Sequence, residues 1–227
     1  MNKRKILFAI IFTFLGLLTL RVSIDKIIGS DQNFTLFEFL GPIGGMFLGP
    51  ILGAISAFFV YALNIFVFHK SLGFLSVALF LPPVLAAVYF GLKQKVTAII
   101  FPICIILFIL NPIGRQAWMY SLIWLIPFFA TFLKKRLVFN SLGATFTAHA
   151  VGSVIFLYAF GLTPAIWMAL IPVVFVERGL FTLGIWISCL LFNTALDRLT
   201  NLKSVQFLKP LVNQNYLVST RFFKTFA

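Results

Sequence analysis

The chain has 227 residues, 61% of them hydrophobic and 10% charged, with a mean hydropathy of +1.07. So little water-compatible surface excludes a soluble enzyme, a nucleic-acid-binding domain and a disordered chain, and predicts an all-α, polytopic integral membrane bundle. The formal charge of +13, from 18 Lys+Arg against 5 Asp+Glu, then reports which loops face the cytoplasm rather than a nucleic-acid partner. Cys104 and Cys189 both lie in apolar runs. They make neither a disulfide framework nor a metal spacing and read as small core residues.

Asn2-Lys3-Arg4-Lys5 and the apolar run 6–20 imitate a signal peptide, yet no small-residue cleavage site follows Leu20, so a retained first helix is predicted. Further apolar stretches occupy 37–68, 72–90, 96–110, 117–132, 144–160 and 167–196. A crossing helix needs about 20 residues, so 37–68 is long for one span and short for two. Gly41-Pro42 and Gly49-Pro50 inside it are turn signals.

Charge separates the two counts. With one crossing there, seven spans put Lys93, Lys95, Lys134, Lys135, Arg136 and the basic C-terminal segment on the side opposite the basic N-terminus. With a short-helix hairpin turning at Gly49-Pro50, about eight spans place all of these in the cytoplasm and leave Arg21, Lys26, Lys70 and Arg115 outside, with Arg178 in the membrane. The hairpin arms, 37–48 and 51–68, are then short or tilted. Residues 1–197 form one transmembrane domain. In 198–227, Lys203, Lys209, Arg221 and Lys224 alternate with Phe207, Tyr216, Phe222, Phe223 and Phe226, as expected of a basic, amphipathic cytoplasmic tail on anionic lipid.

Gly41, Gly45, Gly49, Gly53 and Ala57 place a small residue at every fourth position. On a helix they form one face that permits close backbone approach, so they are candidate helix-packing residues.

Ionisable groups within the membrane are expensive and point to function or to a buried clamp. Glu177 and Arg178 stand near the middle of the last span, and His149 reaches a similar depth. Two readings stay open. The trio forms a proton relay or ligand site in which Arg178 holds an anionic group, or it is a satisfied clamp joining the last two spans. Adjacent residues on a helix point about 100° apart, so one of Glu177 and Arg178 is expected to pair with His149. A second candidate binding cluster lies on the outer side: Glu38 opens the hairpin, Asn64 and His69 close it, Asn111, Arg115, Gln116 and Trp118 sit in a short outer turn, and Thr163, Pro164 and Trp167 open the last span. Amides and aromatic rings over a short-helix hairpin suit a flat, polar small molecule.

The segment Phe34-Thr-Leu-Phe-Glu38-Phe-Leu-Gly-Pro-Ile-Gly-Gly-Met-Phe-Leu-Gly49-Pro50-Ile-Leu-Gly53-Ala-Ile-Ser-Ala, with Asn64, Pro82-Pro83 and Gly91-Leu-Lys-Gln-Lys95, resembles the S components of energy-coupling factor vitamin transporters over about residues 31–95. The turn Leu48-Gly49-Pro50-Ile51-Leu52-Gly53 carries the match. The resemblance implies a substrate-binding membrane subunit for a vitamin-like micronutrient, energised by separate ATPase subunits through a coupling membrane protein. That family's first helix commonly docks the coupling protein by an Ala-x-x-x-Ala motif; here the helix has Ala9, Thr13 and Gly16.

No metalloprotease, nucleophile-elbow, aspartate-rich or phosphate-loop motif occurs. The expectation is therefore a non-enzymatic subunit of the cell inner membrane without cofactor or metal, its partners being the lipid bilayer, a small-molecule ligand and the coupling and ATPase subunits, with both termini cytoplasmic. A structural or assembly membrane protein is the alternative, and an intramembrane enzyme using His149 and Glu177 a third.

Overall fold

In a computed structural model, which describes residues 3–28, 33–69, 73–92, 95–133 and 136–218, the chain is almost entirely helical. Helix α1 spans Lys3–Thr19. A two-stranded antiparallel ribbon follows, β1 Ser23–Lys26 and β2 Asn33–Thr35, pairing Asp25 with Phe34 and Lys26 with Asn33. Next come α2 (Phe37–Leu48, interrupted by turns at 41–43), α3 (Pro50–Val67), α4 (Phe74–Gly91, broken at 79–80), α5 (Val96–Leu110) and α6 (Trp118–Leu133). Two long helices, α7 (Leu137–Phe160) and α8 (Pro164–Leu199), complete the bundle.

Four of these, α3, α4, α7 and α8, are long and apolar enough to cross a membrane. The chain thus has the make-up of a multi-pass membrane protein. The expected count of about eight spans is not what the helix lengths give. Helices of 10–17 residues, such as α2, α5 and α6, are about 15–25 Å long, short of the roughly 30 Å hydrocarbon core. The 36 residues of α8 extend to about 54 Å and exceed it.

Local chemistry sets the boundaries. Proline occupies the first turn of α3 and α8, where a missing N–H costs nothing. The Thr163 hydroxyl caps α8 by accepting from the Ile166 N–H. Asn111 caps the short helix Pro112–Gln116 before α6, accepting from the Ile113 N–H at 2.9 Å. Gly161, in the left-handed region at φ 59°, ends α7.

The four-residue glycine pattern is divided between two helices rather than lying on one face. Gly49, at φ 86°, is the turn between α2 and α3, a conformation that disfavours any side chain. Gly45 and Gly53 then face each other across that turn: a Cβ on Gly53 would lie 2.7 Å from the Gly45 Cα, and one on Gly45 would collide with the Ala87 carbonyl of α4. Gly91 meets the Gly45 carbonyl and Pro50 in the same seam. Ala57 is fully buried, whereas Gly41 approaches only the ring and carbonyl of Phe37 one turn earlier in its own segment.

The segment after α8 folds back. Asn193, buried in α8, donates to the carbonyls of Asn213 (2.9 Å) and Tyr216 (3.0 Å) and accepts from the Asn213 N–H (2.8 Å). Thr194 accepts from the Val218 N–H. Residues up to 218 therefore dock on the bundle through short 3-10 turns, Gln206–Leu211 and Gln214–Tyr216. The competing force is the buried amide, which gains three partners from the returning backbone. Lys70, Lys93, Lys134, Lys135, Arg221, Phe222, Phe223, Lys224 and Phe226, used above to argue topology and tail, lie outside the described residues.

Candidate functional site

At the end of the bundle remote from the Gly49 turn, the helices enclose a cavity of about 410 Å³. Its walls come from the end of α1 and the ribbon (Leu20, Arg21, Phe34, Thr35), the start of α2 (Glu38), the end of α3 (Tyr61, Asn64), the middle of α4 (Pro82, Pro83), Tyr120 of α6, His149 and Ser153 of α7, and Trp167, Glu177 and Arg178 of α8. Part of the outer cluster (Glu38, Asn64 and Trp167) and the intramembrane trio, far apart in sequence, thus share one space.

Arg178 is almost inaccessible, at 2% exposure; its neighbours engage both Nη atoms, while Nε is buried without a hydrogen-bond partner among the described residues. Its Nη2 pairs with Glu177 Oε2 at 3.1 Å and its Nη1 donates to Thr145 Oγ1 at 3.3 Å. The guanidinium lies 4.3 Å from the ring centre of Phe181 and 5.0 Å from that of Phe34, within cation–π range. The Glu177 side chain, at 19%, is the more open partner. The expected pairing of one of these two with His149 does not occur. Backbone directions about 100° apart do not prevent the pair, because two long side chains from adjacent positions can bend toward each other.

His149 is committed elsewhere. Trp124 Nε1 donates to His149 Nδ1 at 3.1 Å. Indole nitrogen only donates, so Nδ1 is unprotonated and the ring proton sits on Nε2. That proton points to the Tyr120 hydroxyl at 3.0 Å, which itself bonds Ser153 at 3.2 Å. The imidazole is a neutral, doubly bonded part of the wall.

Glu38 is half-buried, and the Tyr61 hydroxyl hydrogen-bonds its carboxylate. Arg21 guards the rim: its Nη2 donates to Asn64 Oδ1 at 3.0 Å and its guanidinium stacks 3.0 Å from the centre of the Phe68 ring. Trp167 packs on Tyr120 and Phe108 with ring centres 4.9 and 5.3 Å away, and its indole N–H is buried without a partner among the described residues.

Glu38, Asn64, His149, Trp167, Glu177 and Arg178 all line the cavity. Arg115, Gln116 and Trp118 do not: Arg115 and Gln116 are exposed and Trp118 is 49% exposed. Helical phase explains the difference, because Ala117, Tyr120, Ser121 and Trp124 repeat at the spacing of one buried face and leave 115, 116 and 118 on the other. Asn111 and Thr163 serve as caps, and His69, at φ 47°, is an exposed turn residue. Tyr61, Tyr120 and Arg21 escaped the sequence reading. The 117/120/121/124 spacing could have found Tyr120; Arg21 carried no signal beyond being one of the few basic residues placed outside. Among the described residues, no group of three His, Cys, Asp or Glu side chains could hold a metal ion.

The chain matches no known family model and no solved structure. It is similar to the uncharacterized protein MJ0923 of Methanocaldococcus jannaschii, 27% identical across a region covering 69% of this chain and 60% of the archaeal protein. The chain thus spans less than two thirds of that relative's length, and the relative's name states no activity.

Proposed function

We propose that the protein is a membrane-embedded binding subunit of the S component kind, which captures a small molecule from outside and passes it inward with energy from a separate ATPase module. The observation that carries this reading is the cavity: about 410 Å³ within an apolar helical bundle, lined by charged, amide and aromatic groups. That volume lies at the small end of the range of about 300–1,000 Å³ typical of small-molecule sites.

Chain direction supports an outward-facing site. The walls come from the C-terminal ends of α1 and α3, the second half of α7, the middle of α4, and the N-terminal ends of α2 and α6 with the first half of α8. If all eight helices cross in alternation, the short ones by tilting or local thinning of the bilayer, these ends share one side. The basic N-terminus lies on the other, which the positive-inside rule assigns to the cytoplasm together with the C-terminal segment. The resemblance over residues 31–95, with the observed turn at Gly49, favours the transporter subunit over a scaffold. The vitamin-like substrate, the coupling protein and the inner-membrane location follow from that resemblance.

A structural or assembly role is the second reading; it has no use for a cavity lined by polar groups. An enzyme built on His149 and Glu177 is disfavoured because both imidazole nitrogens are engaged and no hydrogen bond joins the two residues. Native mass spectrometry of protein purified gently from its host tests the proposal. A retained small molecule, with or without ATPase subunits, is the expected result. Ligand-free protein bound to an envelope partner would replace transport by the assembly reading.

A further inference from the structure

The charges around the cavity balance. Arg21 and Arg178 stand against Glu38 and Glu177, and His149 is neutral by its hydrogen bonds. Arg178 pairs with Glu177 and also acts on Glu38 through its field. A charged guest would leave an uncompensated ion among apolar helices, which is unfavourable.

The hydrogen-bond donors do not balance. Acceptors on the wall are already engaged: Asn64 Oδ1 by Arg21, Glu177 by Arg178, Glu38 by Tyr61, and His149 Nδ1 by Trp124. Three donors remain. Arg178 Nε and Trp167 Nε1, on side chains with 2% exposure, have no partner among the described residues, and neither N–H group can accept. The third follows from the His149 tautomer. With the Nε2 proton directed at the Tyr120 oxygen, Tyr120 gives its own proton to Ser153 Oγ, and Nε2 cannot take one back from Ser153. The Ser153 hydroxyl proton is thus left without an acceptor among the described residues.

Ser153, Trp167 and Arg178 all line the cavity. Ser153 and Trp167 share Tyr120 as a neighbour, one at its hydroxyl and the other against its ring. From Trp167 to Arg178, α8 advances about three turns, or about 16 Å. Both Cα–Cβ bonds tilt toward the helix N-terminus, so the two ends call for separate acceptors.

We infer that the cavity takes an uncharged, flat organic molecule with a carbonyl oxygen or heteroaromatic nitrogen toward each end, one acceptor for Ser153 and Trp167 and the other for Arg178. This assignment rests on the binding reading above and names its substrate class. Such a guest keeps the charge at zero, satisfies donors that can only give, and offers its ring plane to Phe34 and Tyr120.

The test is the shift in thermal midpoint of the full-length protein in detergent and mildly alkaline buffer, with four probes on one two-ring frame. They are the bipyridine joined para to both nitrogens, uncharged with an acceptor at each end; the matching phenylpyridine, with one acceptor; its N-methyl cation; and biphenylcarboxylate, an anion. Any small molecule carried through purification from the native host is identified alongside. Bipyridine is expected to shift the midpoint most and the two ions least, and an uncharged native ligand with acceptors is expected. Trp167→Phe, which keeps a ring but removes the N–H, should raise the bipyridine concentration needed by roughly three- to tenfold, the worth of one neutral hydrogen bond, and narrow its advantage over phenylpyridine. Should that variant not accumulate, Ser153→Ala should narrow the same gap. A larger shift with either ion, or a charged native ligand, would overturn the neutral-ligand assignment and leave the binding reading standing. Equal shifts with bipyridine and phenylpyridine, or a gap that the variant leaves untouched, would overturn the two-acceptor assignment alone. No shift with any probe, together with no extracted ligand, would overturn the binding reading as well.

Discussion

The two ends of the bundle use the same helices to opposite purposes. At the Gly49 end, backbones touch: Gly45, Gly53 and Gly91 leave no space for a Cβ, Gly143 admits the Tyr89 ring, and Phe8, Phe47 and Phe192 interlock with ring centres 5.1–6.1 Å apart. At the other end the helices part around Glu38, Tyr61, His149 and Glu177, and a cavity remains. Close packing at one end fixes the helix directions, which lets polar groups at the other be held apart. An apolar void would gain from collapse, whereas groups that already have hydrogen-bond partners resist it.

The largest effect should come from Gly45→Val. The new side chain would strike the Ala87 carbonyl and the Gly91 nitrogen, backbone atoms that cannot step aside. Overpacking typically costs about 1–3 kcal/mol and more against rigid neighbours. We expect little or no monodisperse protein by size-exclusion chromatography; a well-folded variant would show that the closed end is not what organises the bundle.

Next is Arg178→Ala, which leaves the Glu177 carboxylate without its 3.1 Å partner. Breaking a buried pair by removing one member costs about 3–5 kcal/mol, reduced here because Glu177 keeps partial access to the cavity. The expected outcome is a clear fall in thermal midpoint, partly restored in the double variant Arg178→Ala/Glu177→Ala. A single variant as stable as the parent would remove the ion pair from the account of the cavity wall.

Asn193→Ala tests the closed end through the returning C-terminal segment. It strips the Asn213 and Tyr216 carbonyls and the Asn213 N–H of their partner, about 1–3 kcal/mol. Limited proteolysis should then cut within 206–218 while the helical core persists. Core and tail lost together would make the tail part of the bundle's cooperative unit.

Trp124→Phe should cost less, about 1 kcal/mol, by removing one neutral hydrogen bond from His149 Nδ1. The imidazole then keeps only its Tyr120 side as an anchor, so ligand retention should fall modestly; unchanged retention would show that the Trp124 bond does not position the ring. Arg115→Ala should be the smallest, within about 0.5 kcal/mol and without effect on ligand retention, as befits an exposed side chain away from the cavity.

Much of the architecture was legible because it follows from local chemistry. Gly49-Pro50 required a turn, since glycine alone accepts φ 86° comfortably and proline suits the first turn of α3. Thr163-Pro164 marked the start of α8 for a similar reason. The ionisable residues within apolar runs identified part of the cavity wall, because so few charges occur in those runs. What failed was orientation. Arg115, Gln116 and Trp118 looked like an outer pocket until helical phase turned them away and put Tyr120 inward. The Glu177–Arg178 pair defied a rule about helix faces that holds for backbones and not for long side chains.

By itself the sequence determined an apolar, helical, multi-pass chain with a break at Gly49, since hydropathy and backbone preference act residue by residue. Only the tertiary structure decided which polar groups meet: that Tyr120 and Trp124 fix His149, that Tyr61 reaches Glu38, and that Asn193 draws the tail onto α8. Those contacts join residues tens of positions apart, and their geometry depends on where each helix is anchored by the packing at its far end.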